Sequence, residues 1–131
     1  SPMSSPNLLM IAASARDANM LYAAGMFADD ALIYLRLRGR CHLLVSDAEL
    51  GRARREAGHC RILSAARVAE RLRKAGRSRV TLAHVAAAVL REKGLRSVTL
   101  LPLGYRQADA DWLVNLPKVR RPASEFVIEV K

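Results

Sequence analysis

The chain has 131 residues and carries 22 Lys and Arg against 12 Asp and Glu, a net charge of +10. That length suits one domain with a respectable core and leaves little room for a second. No run approaches the roughly 18 apolar residues of a membrane span, and the N-terminus lacks the basic region, apolar stretch and small-residue cleavage site of a secretory signal. A cytoplasmic protein without membrane contact is therefore expected.

Ser1 and Pro2 precede Met3 and read as the remnant of a cleaved tag, so the expected domain is 3–131. Leu8 to Ala12, "LLMIA", is a short apolar run suited to a buried strand, whereas the stretch 15–25, "ARDANMLYAAG", is too mixed to assign. Ala31 to Leu37 and Cys41 to Val45 flank a tight turn and predict a hairpin, with Gly39 supplying the positive φ the turn needs. Ser46 and Glu49 then fit the S-x-x-E capping box, which predicts a helix from about Asp47 to Ala57, stopped at Gly58.

"CRIL" at 60–63 predicts another strand, and Ser64 opens a helix that ends near Gly76. A third helix, capped by Thr81 and closed by Gly94, has Leu82, Val85, Ala86, Val89 and Leu90 on one apolar stripe and must pack on a core. At Gly58, Gly76 and Gly94 alike, a left-handed residue is expected to end the helix. "SVTLLP" at 97–102 predicts a strand, "ADADWLVNL" at 108–116 a helix, and "EFVIEV" at 125–130 a final strand. Strands and helices alternate, so the expected class is α/β: a single domain with a mixed β-sheet and helices packed on its faces. The three glycines recur every 18 residues, but a strand follows the first and a helix the second, so they do not mark a repeat.

The basic charge comes in short clusters, 52–55, 71–74, 76–79 and 118–121, scattered over different elements. Such scatter reads as solvated faces, and nucleic acid is not the expected partner. Cys41, His42, His59 and Cys60 have the ligand types of a Cys2His2 zinc site. Each pair, however, is expected as neighbours on a strand, where successive side chains point to opposite faces, so one metal could not collect all four. The expectation is free thiols, no metal and no cofactor in this chain. His84 lies off the apolar stripe without a metal-binding motif and is expected to be a boundary histidine. No nucleophile elbow, phosphate-binding loop or dinucleotide fingerprint occurs, so no catalytic residue is assigned.

Residues 19–54, "NMLYAAGMFADDALIYLRLRGRCHLLVSDAELGRAR", resemble the N-terminal domain of the creatinase, prolidase and Xaa-Pro aminopeptidase family. The resemblance rests on Tyr22 and Gly25, an acidic residue at Asp29 or Asp30, the hairpin Gly39, and Glu49 with Arg52 and Ala53. "LPLGYRQADADWL" at 101–113 falls where that family has a strand, a loop and a helix.

The resemblance implies a creatinase N-terminal-like, ribonuclease H-like fold. It also implies a non-catalytic domain that serves oligomerisation and substrate access, in a parent whose separate catalytic domain would hold two divalent metal ions and cleave the bond before proline. The expected partners are that catalytic domain and a second copy in a homodimer. Tyr22, Gly25, Phe27 and Asp29 are the expected subunit-interface or substrate-access loop. The alternative is a free-standing basic domain that binds nucleic acid.

Overall fold

The computed structural model describes residues 7–95, 97–100, 118–120 and 126–129, with side-chain detail for 7–95. Its framework is a seven-stranded mixed sheet built from β1 (Leu8–Ala12), β2 (Leu32–Leu37), β3 (Arg40–Val45), β4 (Arg61–Ser64), β5 (Ser97–Leu100), β6 (Lys118–Arg120) and β7 (Phe126–Glu129). The strand order is β4-β3-β2-β1-β5-β7-β6. β1, β2 and β3 form an antiparallel meander, β5 runs parallel to β1, and β4 runs parallel to β3. Among the described residues the α-helices are α1 (Ala18–Ala24), α2 (Leu50–Glu56), α3 (Ala65–Lys74) and α4 (Leu82–Glu92).

Period-2 alternation divides the core between the two faces of this sheet. Leu9, Ile11, Ile33, Leu35, Leu37 and Leu44 pack with Val68 of α3 and Val85, Ala86, Val89 and Leu90 of α4. Met10, Leu32, Tyr34, Leu43 and Val45 point the other way, against Met20 and Ala24 of α1 and Ala53 of α2. β2 is thus buried on both sides, which explains its almost unbroken apolar sequence. The α/β class with a mixed sheet follows from the same arrangement.

The hairpin forms as expected, with Arg38 and Gly39 both at positive φ, 52° and 80°, as a two-residue turn of this hand requires. α3 and α4 begin where expected. The Ser64 hydroxyl accepts from the Arg67 amide, and Thr81 and His84 form a reciprocal capping box. His84 is therefore a cap partner, its Nδ1 accepting from the Thr81 amide at 3.1 Å.

Two local expectations need correction, and two elements arise where the sequence reading assigns none. The Ser46–Glu49 capping box does not form: a 3-10 turn, Asp47–Glu49, intervenes before α2, and Ser46 makes no side-chain cap hydrogen bond. Glu49 is drawn instead to Arg52, one helical turn on, in a two-pronged ion pair. Gly58 stands one residue past its helix's C-cap, as Gly76 and Gly94 do, but unlike them it is not at positive φ. The segment 15–25 contains α1, whose Asp17 cap accepts from the Met20 amide. β6 arises from a stretch read as a basic cluster, paired along β7. The helix expected at 108–116 lies outside the described residues. No helix among the described residues is long and apolar enough to cross a membrane.

These caps separate two serines that look alike in sequence. Ser64 also donates to Asp47 Oδ1 at 2.5 Å and is buried, so Ser64→Ala is expected to cost about 1–2 kcal/mol. Ser46→Ala is expected to stay within about 0.5 kcal/mol. Urea unfolding of the two variants checks the difference.

The histidines set the acid limb of stability. Burial, with Lys93 nearby, holds His42 below the usual imidazole range, and its Nδ1 has no partner. Burial, with Arg77 and Arg91 nearby, does the same to His84. In each case the unfolded chain takes up a proton that the folded one resists. Stability should therefore fall as pH drops through the ordinary histidine value of about 6.5, and it should be regained above it. Urea midpoints at neutral and mildly acidic pH check this. His42→Leu should flatten the dependence, and His84→Gln should flatten it while keeping the cap.

Candidate functional site

The residues expected in the interface loop fall on α1, which holds Tyr22, and on the segment joining it to β2, which holds Gly25, Phe27 and Asp29. α1 is amphipathic at short range: Met20 and Ala24 are fully buried, while Leu21 and Tyr22 face outward. Beyond the helix the pattern alternates, with Met26 and Ala28 buried and Phe27 exposed between them. Tyr22 is 92% exposed, Phe27 55% and Leu21 39%; among the described residues these are the exposed large hydrophobics. Asp29 is exposed at the end of the same segment. Gly25, also exposed, has a structural task of its own. It is the left-handed C-cap of α1, at φ 74°, and its amide donates to the Leu21 carbonyl.

The loop is held by hydrogen bonds to its backbone. Ser14, buried to 2% exposure, donates its hydroxyl to the Met26 carbonyl and accepts from the Ala28 amide, both at 2.7 Å. The Ala15 amide donates to the Ala28 carbonyl at 2.9 Å. On the other flank Arg52, anchored by Glu49, donates to the Phe27 carbonyl at 2.6 Å. One buried hydroxyl and one guanidinium thus fix the backbone on either side of Phe27, so the aromatic ring stands out from a pinned platform. Arg52 belongs to the motif that carries the family resemblance, and the structure gives it a specific task. Ser14 has no sequence signature, being an isolated serine after a strand.

Behind this platform lies a second cluster that sequence reasoning had dispersed. The parallel register pairs His42 with Arg61, so Cys41 and Cys60, one residue earlier on each chain, come side by side on the face that α1 and α2 cover. His59 and Cys60 are not on a strand, since β4 begins at Arg61. Strict alternation therefore does not govern them, and the Cys41, His59 and Cys60 ligand atoms converge within 4.8 Å of one another. Only His42 departs to the opposite face, where it is buried against Leu35 in register. The expectation that the two Cys-His pairs could not converge holds for His42 alone.

The cluster's details are specific. Cys41 Sγ lies 3.3 Å from the His59 carbonyl as a hydrogen-bond donor. Burial, reinforced by a hydrogen bond with Cys41, pushes the Cys60 thiol well above its usual range. His59 Nε2 is 2.9 Å from the Ala23 carbonyl at the end of α1. The ring occupies the space that a side chain at Gly25 would fill, as a Cβ there would stand 3.1 Å from His59 Cε1. Gly25 is thus required twice, for its left-handed backbone and for room. Arg36 sits directly opposite Cys41 in register, with a buried Nε that has no partner. Elsewhere, a groove of about 490 Å³ runs beside β4 and is lined in part by Leu50, Ile62, Arg67 and Val89.

Two substitutions test this description of the loop. Gly25→Ala should cost on the order of 1–2 kcal/mol for the left-handed backbone alone. Ser14→Ala should cost about 1–3 kcal/mol by leaving two backbone groups without their partner. Both should lower the thermal midpoint, whereas Asp29→Asn should not.

The chain matches no family model, no curated protein and no solved structure.

Proposed function

We propose that this chain is a non-catalytic N-terminal domain of a metal-dependent Xaa-Pro peptidase of the creatinase and prolidase type, acting in oligomerisation and substrate access. The observation that carries the proposal is the pinned segment between α1 and β2. It presents Phe27 at the surface on a backbone fixed by Ser14 and Arg52, beside Leu21 and Tyr22 on the exposed side of α1. Exposed aromatics on a rigid support are economical interface anchors, because little conformational freedom is lost when they are covered. The meander β1–β2–β3 continued by the parallel strand β5 supports the creatinase N-terminal-like, ribonuclease H-like reading of the fold. In this reading the surface is covered by a second copy or by the parent's catalytic domain. That catalytic domain would supply the two metal ions and the hydrolytic chemistry.

The basic charge supports an interface with nucleic acid less well. Arg52, Arg71 and Arg73 each pair with a glutamate, and the clusters lie on different elements. Affinity for nucleic acid is expected to stay in the nonspecific range, about 10⁻⁴ to 10⁻⁶ M at physiological salt, and to fade as salt rises.

Sedimentation of the chain, alone and with the catalytic domain supplied separately, tests the proposal. Association is expected with at least one of them, weakened roughly tenfold or more by Tyr22→Ser or Phe27→Ser with the thermal midpoint unchanged. Absence of both associations, or hydrolysis of Xaa-Pro peptides by the chain alone, would overturn the reading. Nanomolar, sequence-selective nucleic-acid binding at physiological salt would replace it with the alternative.

A further inference from the structure

We infer that Cys41, His59 and Cys60 form a binding site for a thiophilic divalent cation, with Zn²⁺ as the natural occupant and water in the fourth position. The inference is independent of the proposed peptidase relationship and rests on four features of the cluster.

The first is convergence. A tetrahedral zinc with bonds of about 2.0–2.3 Å holds its ligand atoms roughly 3.3–3.8 Å apart. Three ligand atoms already within 4.8 Å of one another stand within about 1 Å of that spacing. The second is ligand type. Two thiolates and an imidazole select zinc over magnesium or calcium, which take oxygen ligands.

The third is orientation. His59 Nε2 is engaged by the Ala23 carbonyl, which fixes the ring and leaves Nδ1 as the nitrogen with a free lone pair. A backbone carbonyl on the distal nitrogen is the usual support of a metal-bound histidine, fixing the tautomer and raising ligand basicity. The absence of a side chain at Gly25 keeps the space that this ring orientation occupies. The fourth is graded exposure: Cys60 is buried, Cys41 intermediate and His59 exposed. The ion would enter from the His59 side, and the outward position remains accessible to water.

Occupation exchanges two thiol protons for one Zn²⁺. The protons pass to solvent, and the two thiolates balance the charge of the ion, so a neutral unit replaces two neutral thiols. The ion would tie β3 to the turn ahead of β4. Through His59 it would also tie both to the end of α1, next to the segment that presents Tyr22 and Phe27.

Cobalt is the spectroscopic probe. Reduced, tag-free protein titrated with Co²⁺ should develop a sulfur-to-cobalt charge-transfer band and the visible bands of tetrahedral cobalt, saturating at one equivalent. Added Zn²⁺ should bleach both, and zinc titration in weak buffer should release up to two protons per ion. His59→Gln is the principal variant, since an exposed position should tolerate it without unfolding. It should weaken zinc binding at least about tenfold, and Cys41→Ser and Cys60→Ser should weaken it further. His42→Gln, on the opposite face, should leave the cobalt spectrum unchanged. Zinc should also raise the thermal midpoint of the unsubstituted chain and not that of His59→Gln. Absence of the charge-transfer band in folded, reduced protein would overturn the inference. So would cobalt spectra indifferent to His59→Gln. Neither result would bear on the self-association that tests the interface.

Discussion

Burial of β2 on both faces is the constraint on which the rest of this structure depends. A strand whose successive side chains are almost all apolar can be accommodated only if helices cover both sides of the sheet around it. The order of elements then decides which helix goes where: α1 and α2 cover one face, and α3 and α4 the other. β1 and β3 flank β2 and inherit the same division, Met10 against Leu9 and Ile11, Leu43 and Val45 against Leu44. Even the histidine of β3 follows the rule, at the expense of an unpaired ring nitrogen.

The α1–α2 face does two things at once. Its interior holds methionines, alanines and Cys60, small or adaptable side chains that let two short helices lie close to the sheet. Its rim carries the Tyr22–Asp29 segment above the Cys41, His59 and Cys60 cluster. The two are mechanically joined, because the end of α1 supplies both the Ala23 carbonyl that orients His59 and the left-handed Gly25 that turns the chain toward Phe27. A partner docking on Tyr22 and Phe27 would press on a helix residue and on a backbone that Ser14 and Arg52 fix at Phe27. Little reorganisation would then oppose binding.

Much of the fold was legible because local rules and global packing agree. The hairpin around Gly39, the apolar stripe of α4, and the caps at Ser64 and Thr81 are short-range signals that the core reinforces. α1 was missed although Asp17 and Gly25 bracket it, because its apolar stripe is only two residues wide and its exposed face carries Leu21 and Tyr22. The Ser46 box is absent because a 3-10 turn, Asp47–Glu49, intervenes before α2, and the Glu49 carboxylate that would reach back is engaged by Arg52. The hydroxyl that pins the loop was not legible, since Ser14 acts across 12 and 14 residues of sequence. The Cys-His convergence was hidden by register. Alternation correctly sent His42 away from Cys41, but nothing local showed that the chain leaves strand geometry at His59, or that β4 runs parallel beside β3.

The claim that unites these observations is that the α1–β2 segment is a pinned platform. Amide hydrogen exchange tests it most directly. The Ala28 amide, which donates to the buried Ser14 hydroxyl, should exchange nearly as slowly as the amides of β1 and β2. Under the proposed function, amides around Leu21 to Phe27 should gain protection as protein concentration rises or as the proposed catalytic partner domain is added. An Ala28 amide that exchanges at the rate of an unstructured loop would contradict the account, because its aromatics would then be displayed on a segment with no fixed geometry.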